Sequence, residues 1–117
     1  MCHVLLIEDE MVIGLNLQLL LEENGADSVE LVDTEQEAVS AAQRRRPDLI
    51  MSDMTLRVGT GQAAVEEIRR SLGAVPVIFI TATPSACTVQ EECRVFAKPI
   101  DENAIARAFR EMAFSHA

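Results

Sequence analysis

Lysine and the larger aromatic residues are almost missing from this sequence of 117 residues. Ten residues are basic, but Lys98 is the only lysine and the other nine are arginine. There is no Trp and no Tyr, so a hydrophobic core has to be built mainly from aliphatic side chains. Because 49% of the residues are nevertheless apolar, the composition excludes a disordered chain. The length predicts one domain covering residues 1–117.

Positive charge is also scarce, since 19 acidic residues give a net charge of -9. A phosphate backbone would be repelled by this charge, so no nucleic-acid partner is expected. Hydrophobic runs such as residues 75–82 are far shorter than the roughly 20 residues that cross a bilayer. Acidic residues follow the first apolar segment at once, unlike a signal peptide. A cytoplasmic location without membrane contact is therefore expected.

Cysteine and histidine show no ligand spacing. The three cysteines form no CxxC pair, so reduced thiols are expected. The two histidines, His3 and His116, stand at opposite ends of the chain, and no zinc site is expected.

Strands and helices alternate along the sequence. Short apolar segments predict strands at residues 3–7, 49–51, 75–80 and 94–97, and a weaker segment at 28–32 suits an edge strand. Helical periodicity with capping residues predicts helices at residues 11–24, 34–46, 61–72 and 101–114, and a short, loosely held helix after Thr83. This alternation predicts the α/β class: a doubly wound, five-stranded parallel sheet with helices on both faces.

Polar side chains stand where four of these strands end. Glu8 and Asp9 follow the first strand, Asp53 ends the third, Thr81 the fourth and Lys98 the fifth. Each alone has a simple structural explanation, such as a favourable charge at a helix N-terminus or a turn. In a parallel sheet, however, all these ends meet at the edge where ligands bind. Their joint placement predicts a functional site.

The chemistry of these residue types points to phosphoryl transfer. Neighbouring carboxylates repel each other unless a cation joins them, and Mg²⁺ prefers such oxygen ligands together with a phosphoryl oxygen. A carboxylate in such a site can act as a nucleophile that forms an aspartyl phosphate. The ammonium of Lys98 suits one phosphoryl oxygen and the hydroxyl of Thr81 another. The Lys98-Pro99 bond is a candidate for a cis peptide.

Four motifs together resemble the CheY-like response-regulator receiver domain of two-component signalling. They are VLLIEDE (residues 4–10), DLIMSD (48–53), VIFITA (77–82) and FAKPI (96–100). The resemblance implies a flavodoxin-like strand order of 2-1-3-4-5. It also implies roles for six residues: Asp53 as phospho-acceptor, Glu8 and Asp9 as Mg²⁺ ligands with it, the backbone carbonyl of Thr55 as a further ligand, Thr81 as switch hydroxyl and Lys98 as phosphoryl contact.

The function implied by this resemblance is that of a phosphorelay receiver. A sensor histidine kinase or a histidine phosphotransfer protein would donate the phosphoryl group to Asp53. The domain would then signal by conformational change, including a shift of the segment after Thr83, to a downstream protein or to an output domain outside this sequence. Apart from Mg²⁺-dependent self-phosphorylation and dephosphorylation, no enzymatic activity is expected.

Three features depart from the usual family pattern. Val95 occupies a position that is usually Tyr or Phe, and whether Phe96 replaces that aromatic is left open. Arg57 replaces a common proline after the acceptor. The stretch PVIFITATP (76–84) is similar to a receiver subgroup of alphaproteobacterial stress signalling.

Three other functions compete with that of a receiver. A phosphorylation-independent pseudo-receiver stays open because of Val95. A phosphohydrolase of the haloacid dehalogenase type is disfavoured, since Thr55 stands where such enzymes need a second aspartate. A nucleotide-binding protein is disfavoured because the GxG of Gly59 and Gly61 does not follow the first strand.

Overall fold

The computed structural model describes residues 1–56, 58–82 and 93–114. In chain order the elements are β1 (His3–Ile7), α1 (Met11–Glu23), β2 (Ser28–Val32), α2 (Glu35–Arg44), β3 (Leu49–Asp53), α3 (Gly61–Leu72), β4 (Val77–Thr81), β5 (Cys93–Ala97) and α4 (Glu102–Phe114). The short helix predicted after Thr83 falls outside the described residues. Within them, no helix is both long and apolar enough to span a bilayer.

The five strands form one parallel sheet in the order β2-β1-β3-β4-β5, which confirms the predicted fold. Every residue of β1, β3 and β4 is buried, as expected for parallel strands covered on both faces. Four of the five residues of β2 are only partly buried, and β2 lies at the edge, as its mixed pattern predicted. The register sets Ile7 beside Ser52, so the carboxyl ends of β1 and β3 adjoin.

Side chains that alternate along the strands build two hydrophobic layers. Leu5 and Ile7 belong to the layer under α2 and α3, whereas Val4 and Leu6 belong to the layer under α1 and α4. Aliphatic residues dominate both layers, and Phe109 is fully buried in the second. The two layers hold the sheet from both faces and leave its carboxyl edge open for a site.

Hydrogen bonds from capping side chains set the helix starts. The Thr34 hydroxyl accepts from the backbone N–H of Glu37 at 3.1 Å, and the Asp101 carboxylate accepts from that of Ala104 at 3.2 Å. The predicted start of β4 at residue 75 was two residues early. Val75 is fully buried, which explains the apolar signal there, but it precedes the strand.

Candidate functional site

Three carboxylates meet at the carboxyl edge of the sheet. The side chains of Glu8, Asp9 and Asp53 each offer an oxygen, and these oxygens lie within 4.8 Å of one another. Glu8 is 3% exposed and Asp53 7%. The adjoining ends of β1 and β3 bring Asp53 next to Glu8 and Asp9, although they are far apart in the sequence.

Lys98 closes the site from the other side. Its Nζ lies 3.1 Å from Oδ2 of Asp53. Its backbone N–H donates to the carbonyl of Thr81 at 2.8 Å, which continues the pairing of β4 with β5 and holds the lysine at the sheet edge. The Lys98-Pro99 peptide is cis, as predicted.

Burial and the charge of Asp53 shift the pKa values of two neighbouring groups in this site. Burial, followed by the charge of Asp53, raises the pKa of Glu8 to about 7. Burial acts to lower the pKa of Lys98, but the hydrogen bond and charge of Asp53 outweigh it and hold that pKa above its ordinary value. Burial and the charge of Asp53 therefore both disfavour the ionised form of Glu8.

A hard divalent cation fits this donor set. Three carboxylates offer only oxygen ligands, and burial, followed by the charge of Asp53, raises the pKa of Glu8 when no cation is bound. Mg²⁺ typically uses one or two carboxylates and keeps waters, so Glu8, Asp9 and Asp53 suffice to hold it. Receiver domains typically bind Mg²⁺ through an acidic cluster of this kind.

Two threonines lie near the carboxylate of Asp53. Thr81 is 2% exposed and ends β4, the strand next to β3. The backbone N–H of Thr55 donates to Oδ1 of Asp53 at 3.3 Å, while the Thr55 residue is exposed. All the residues predicted for the site thus lie at this edge of the sheet near Asp53, and the roles predicted for them stay predictions.

The strand alternation decides the question of the missing aromatic. Val95 packs against the layer of α2 and α3, whereas Phe96 packs against that of α1 and α4. Phe96 therefore does not take the place of an aromatic side chain at position 95. The aromatic residue that pairs with Val95 across the sheet is Phe79, which is 4% exposed.

Sequence reasoning missed two small residues that contact the backbone carbonyl of Asp53. Ser52 is fully buried and its hydroxyl donates to the carbonyl of Asp53 at 2.8 Å. A Cβ added at Gly61 would lie 1.8 Å from the same carbonyl oxygen, so only glycine allows this approach. The position of Gly61 at the start of α3 was the available signal, but the close contact depends on the folded loop.

This strand order is that of a flavodoxin-like receiver fold, and the acidic cluster, Thr81 and Lys98 lie at its carboxyl edge. Residues 4–110 match the response regulator receiver domain family, and the chain belongs to that family. Receiver domains of response regulators are generally signalling domains and not enzymes.

The proteins similar to this chain include several PhyR response regulators. The chain is 40% identical over 84 residues to the phyllosphere-induced regulator PhyR of Methylorubrum extorquens, covering 70% of this chain and 31% of that protein. The structure of the receiver domain of Erythrobacter litoralis PhyR superposes with a TM-score of 0.85 at 31% identity, covering 97% of this chain and 91% of that one. The anti-anti-sigma factor PhyR of Bartonella quintana gives 0.81 at 29%, covering 96% and 47%. The chain thus spans about a third of the length of the Methylorubrum extorquens protein.

Proposed function

We propose that this chain is a phospho-accepting receiver of a two-component phosphorelay, with Asp53 as the acceptor. The observation that carries the proposal is the placement of Asp53, which combines a 3.1 Å contact to Lys98 with membership of the three-carboxylate cluster. An ion pair with a purely structural role would need Asp53 and Lys98 but not Glu8. Burial beside this pair raises the pKa of Glu8, and this destabilises the folded state of the metal-free protein at neutral pH.

In the proposed reaction a carboxylate oxygen of Asp53 attacks the phosphorus of a phosphohistidine. A new O–P bond forms, the P–N bond breaks, and its electron pair stays on the imidazole nitrogen of the donor. Bound Mg²⁺ would supply charge neutralisation for the phosphoryl oxygens. Lys98 then exchanges its contact with the free carboxylate for a phosphoryl oxygen, and the hydroxyl of Thr81 donates to another.

The donor in this proposal is a sensor histidine kinase or a histidine phosphotransfer protein. The likeness to PhyR chains, one of them titled a stress response regulator and another an anti-anti-sigma factor, supports a place in stress signalling. The output then lies in a downstream protein or in a region outside this sequence.

Intact mass spectrometry after incubation with a small acyl phosphate tests the acceptor directly. We expect one phosphoryl adduct in the presence of Mg²⁺, none with a chelator and none in Asp53→Asn. Asp33→Asn, which removes an exposed carboxylate just after β2, is the matched control and should keep the adduct. Absence of an adduct under every condition would instead favour a phosphorylation-independent pseudo-receiver.

A further inference from the structure

Glu35, in the first turn of α2, makes hydrogen bonds to the loop that follows Asp53. Its Oε1 accepts a hydrogen bond from the backbone N–H of Thr60 at 3.1 Å. Its own backbone N–H donates to the carbonyl of Val58 at 3.4 Å. Gly59 packs so closely that an added Cβ would lie 2.6 Å from the Cβ of Glu35. We call residues 54–56 and 58–61 the acceptor loop.

Further contacts connect the acceptor loop to the backbone of Asp53. Thr60 pairs with Thr55 in an isolated antiparallel bridge. The backbone N–H of Gly61 donates to the carbonyl of Met54 at 2.9 Å, and the Gly61 Cα lies against the carbonyl of Asp53. A displacement of Thr60 is therefore passed on to the residue after Asp53 and to the acceptor backbone itself.

We propose that Glu35 is a positioning residue for the phospho-acceptor site. By holding Thr60, it keeps the acceptor loop in the arrangement that Thr55 and Asp53 need when Mg²⁺ enters. Glu35 is half-buried and stands outside the carboxylate cluster, so it acts through the loop and not as a ligand. The inference rests on the proposed function in that it assigns a further residue to the same site.

A general effect of charge on α2 would be shared by its neighbour Glu37. Both residues lie in the first turn of the helix, where a carboxylate interacts favourably with the helix dipole and stabilises the helix. In the part of the chain that the structure describes, however, the carboxylate of Glu37 makes no hydrogen bond to the acceptor loop. Glu37 therefore serves as a matched control for charge and helix stability.

The test compares Glu35→Ala, Glu35→Gln and Glu37→Ala in the full chain by titration with Mg²⁺, followed through backbone amide NMR shifts. We expect Glu35→Ala to raise the Mg²⁺ dissociation constant about five- to tenfold, somewhat less than the roughly 10- to 100-fold typical of direct outer-shell partners. Glu35→Gln should keep the Mg²⁺ dissociation constant within about twofold of the wild-type value, because its amide oxygen can accept the same hydrogen bond. Glu37→Ala should leave that value unchanged.

A second readout needs no metal. Hydrogen exchange of the Thr60 amide should accelerate in Glu35→Ala and stay slow in Glu35→Gln and Glu37→Ala, because only the first variant lacks the acceptor. Wild-type Mg²⁺ affinity in Glu35→Ala, or equal losses in Glu35→Ala and Glu37→Ala, would overturn the inference.

The outcomes separate this inference from the proposed function. A wild-type chain that binds Mg²⁺ but takes no phosphoryl group contradicts the proposed function, while the Mg²⁺ affinities still decide the role of Glu35. A wild-type chain that is phosphorylated while Glu35→Ala binds Mg²⁺ normally contradicts only the role of Glu35. A wild-type chain that binds no Mg²⁺ overturns both.

Discussion

At the scale of single residues, the charge of Lys98 is what makes a nearly buried Asp53 tolerable in the metal-free protein. The side chain of Asp53 is 9% exposed and that of Lys98 23%, so solvent screens this pair only weakly. Glu8 adds a further carboxylate next to it. Removing the ammonium therefore leaves a buried charge without its partner.

Lys98→Met should accordingly lower the free energy of unfolding in metal-free buffer by about 1–3 kcal/mol, the cost of a buried polar group left unpaired. Addition of Mg²⁺ should restore part of this loss, because a ligand that binds only the folded state stabilises it. Urea denaturation with and without Mg²⁺ measures both effects. Arg94→Met is the matched control: its exposed pair with Glu111 contributes only about 0–1 kcal/mol.

Gly61→Ala tests the close approach of α3 to the backbone carbonyl of Asp53. The added methyl group would lie 1.8 Å from the Asp53 carbonyl, so we expect a loss of at least about 3 kcal/mol, the upper end for overpacking, together with loss of phosphorylation. Gly73→Ala separates crowding from backbone strain, because Gly73 has a φ of 88° and open space around it. Its expected loss is about 1 kcal/mol. Equal losses in the two variants, measured by chemical denaturation, would contradict this account.

Residue chemistry made part of the site predictable. Glu8, Asp53 and Lys98 could be named because their types are unusual at strand ends and parallel strands bring those ends together. Glu35 and Gly61 could not, since their importance comes from contacts that exist only once the acceptor loop is folded.

At the scale of elements, α2 depends on the cap supplied by Thr34. Its hydroxyl accepts the N–H of Glu37, one of the helix donors that have no partner inside the helix. Thr34→Ala should lower the free energy of unfolding by about 1 kcal/mol. Thr34→Ser should lower it by much less, because the serine hydroxyl can accept the same hydrogen bond. Urea denaturation of the two variants checks the prediction, and equal stability of Thr34→Ala and the wild type would show that the cap is dispensable.

The elements differ in how well their patterns predicted them. Helix α3 was predicted with correct bounds because its apolar residues recur on one face and Gly73 ends it. Helix α2 ends at Arg44 and not at residue 46, since Arg45 already has an extended backbone. Strand β5 begins at Cys93, one residue before its predicted start at Arg94. The exposed Arg94 separates Cys93 from the apolar residues that follow, so the sequence pattern did not include Cys93.

At the scale of the whole molecule, stability depends on pH through groups at opposite ends of the sheet. Burial, followed by the charge of Arg45, lowers the pKa of His3, whereas Glu30 and Asp48 act to raise it. The folded state thus binds fewer protons at His3 than the unfolded state, and stability falls as the pH drops through about 6.5. Glu8 acts in the other direction, because its raised pKa makes the metal-free protein less stable as the pH rises from about 4.5 toward about 7.

The difference between the wild type and His3→Gln isolates the histidine. We expect the stability of the wild type relative to this variant to increase from pH 5 to pH 7 and then to level off. Urea denaturation at several pH values measures it, and the contribution of Glu8 cancels because both proteins contain it. A difference that does not change with pH would contradict the lowered pKa of His3.

The solitary lysine gives this protein a built-in chemical handle. Apart from the amino terminus, Lys98 carries the only primary amine in the sequence, and that amine lies against Asp53. An amine-reactive reagent therefore has one side-chain target, located in the site itself. The rate at which that target is acylated reports on the occupancy of the site, and peptide mapping distinguishes it from the amino terminus without an introduced label.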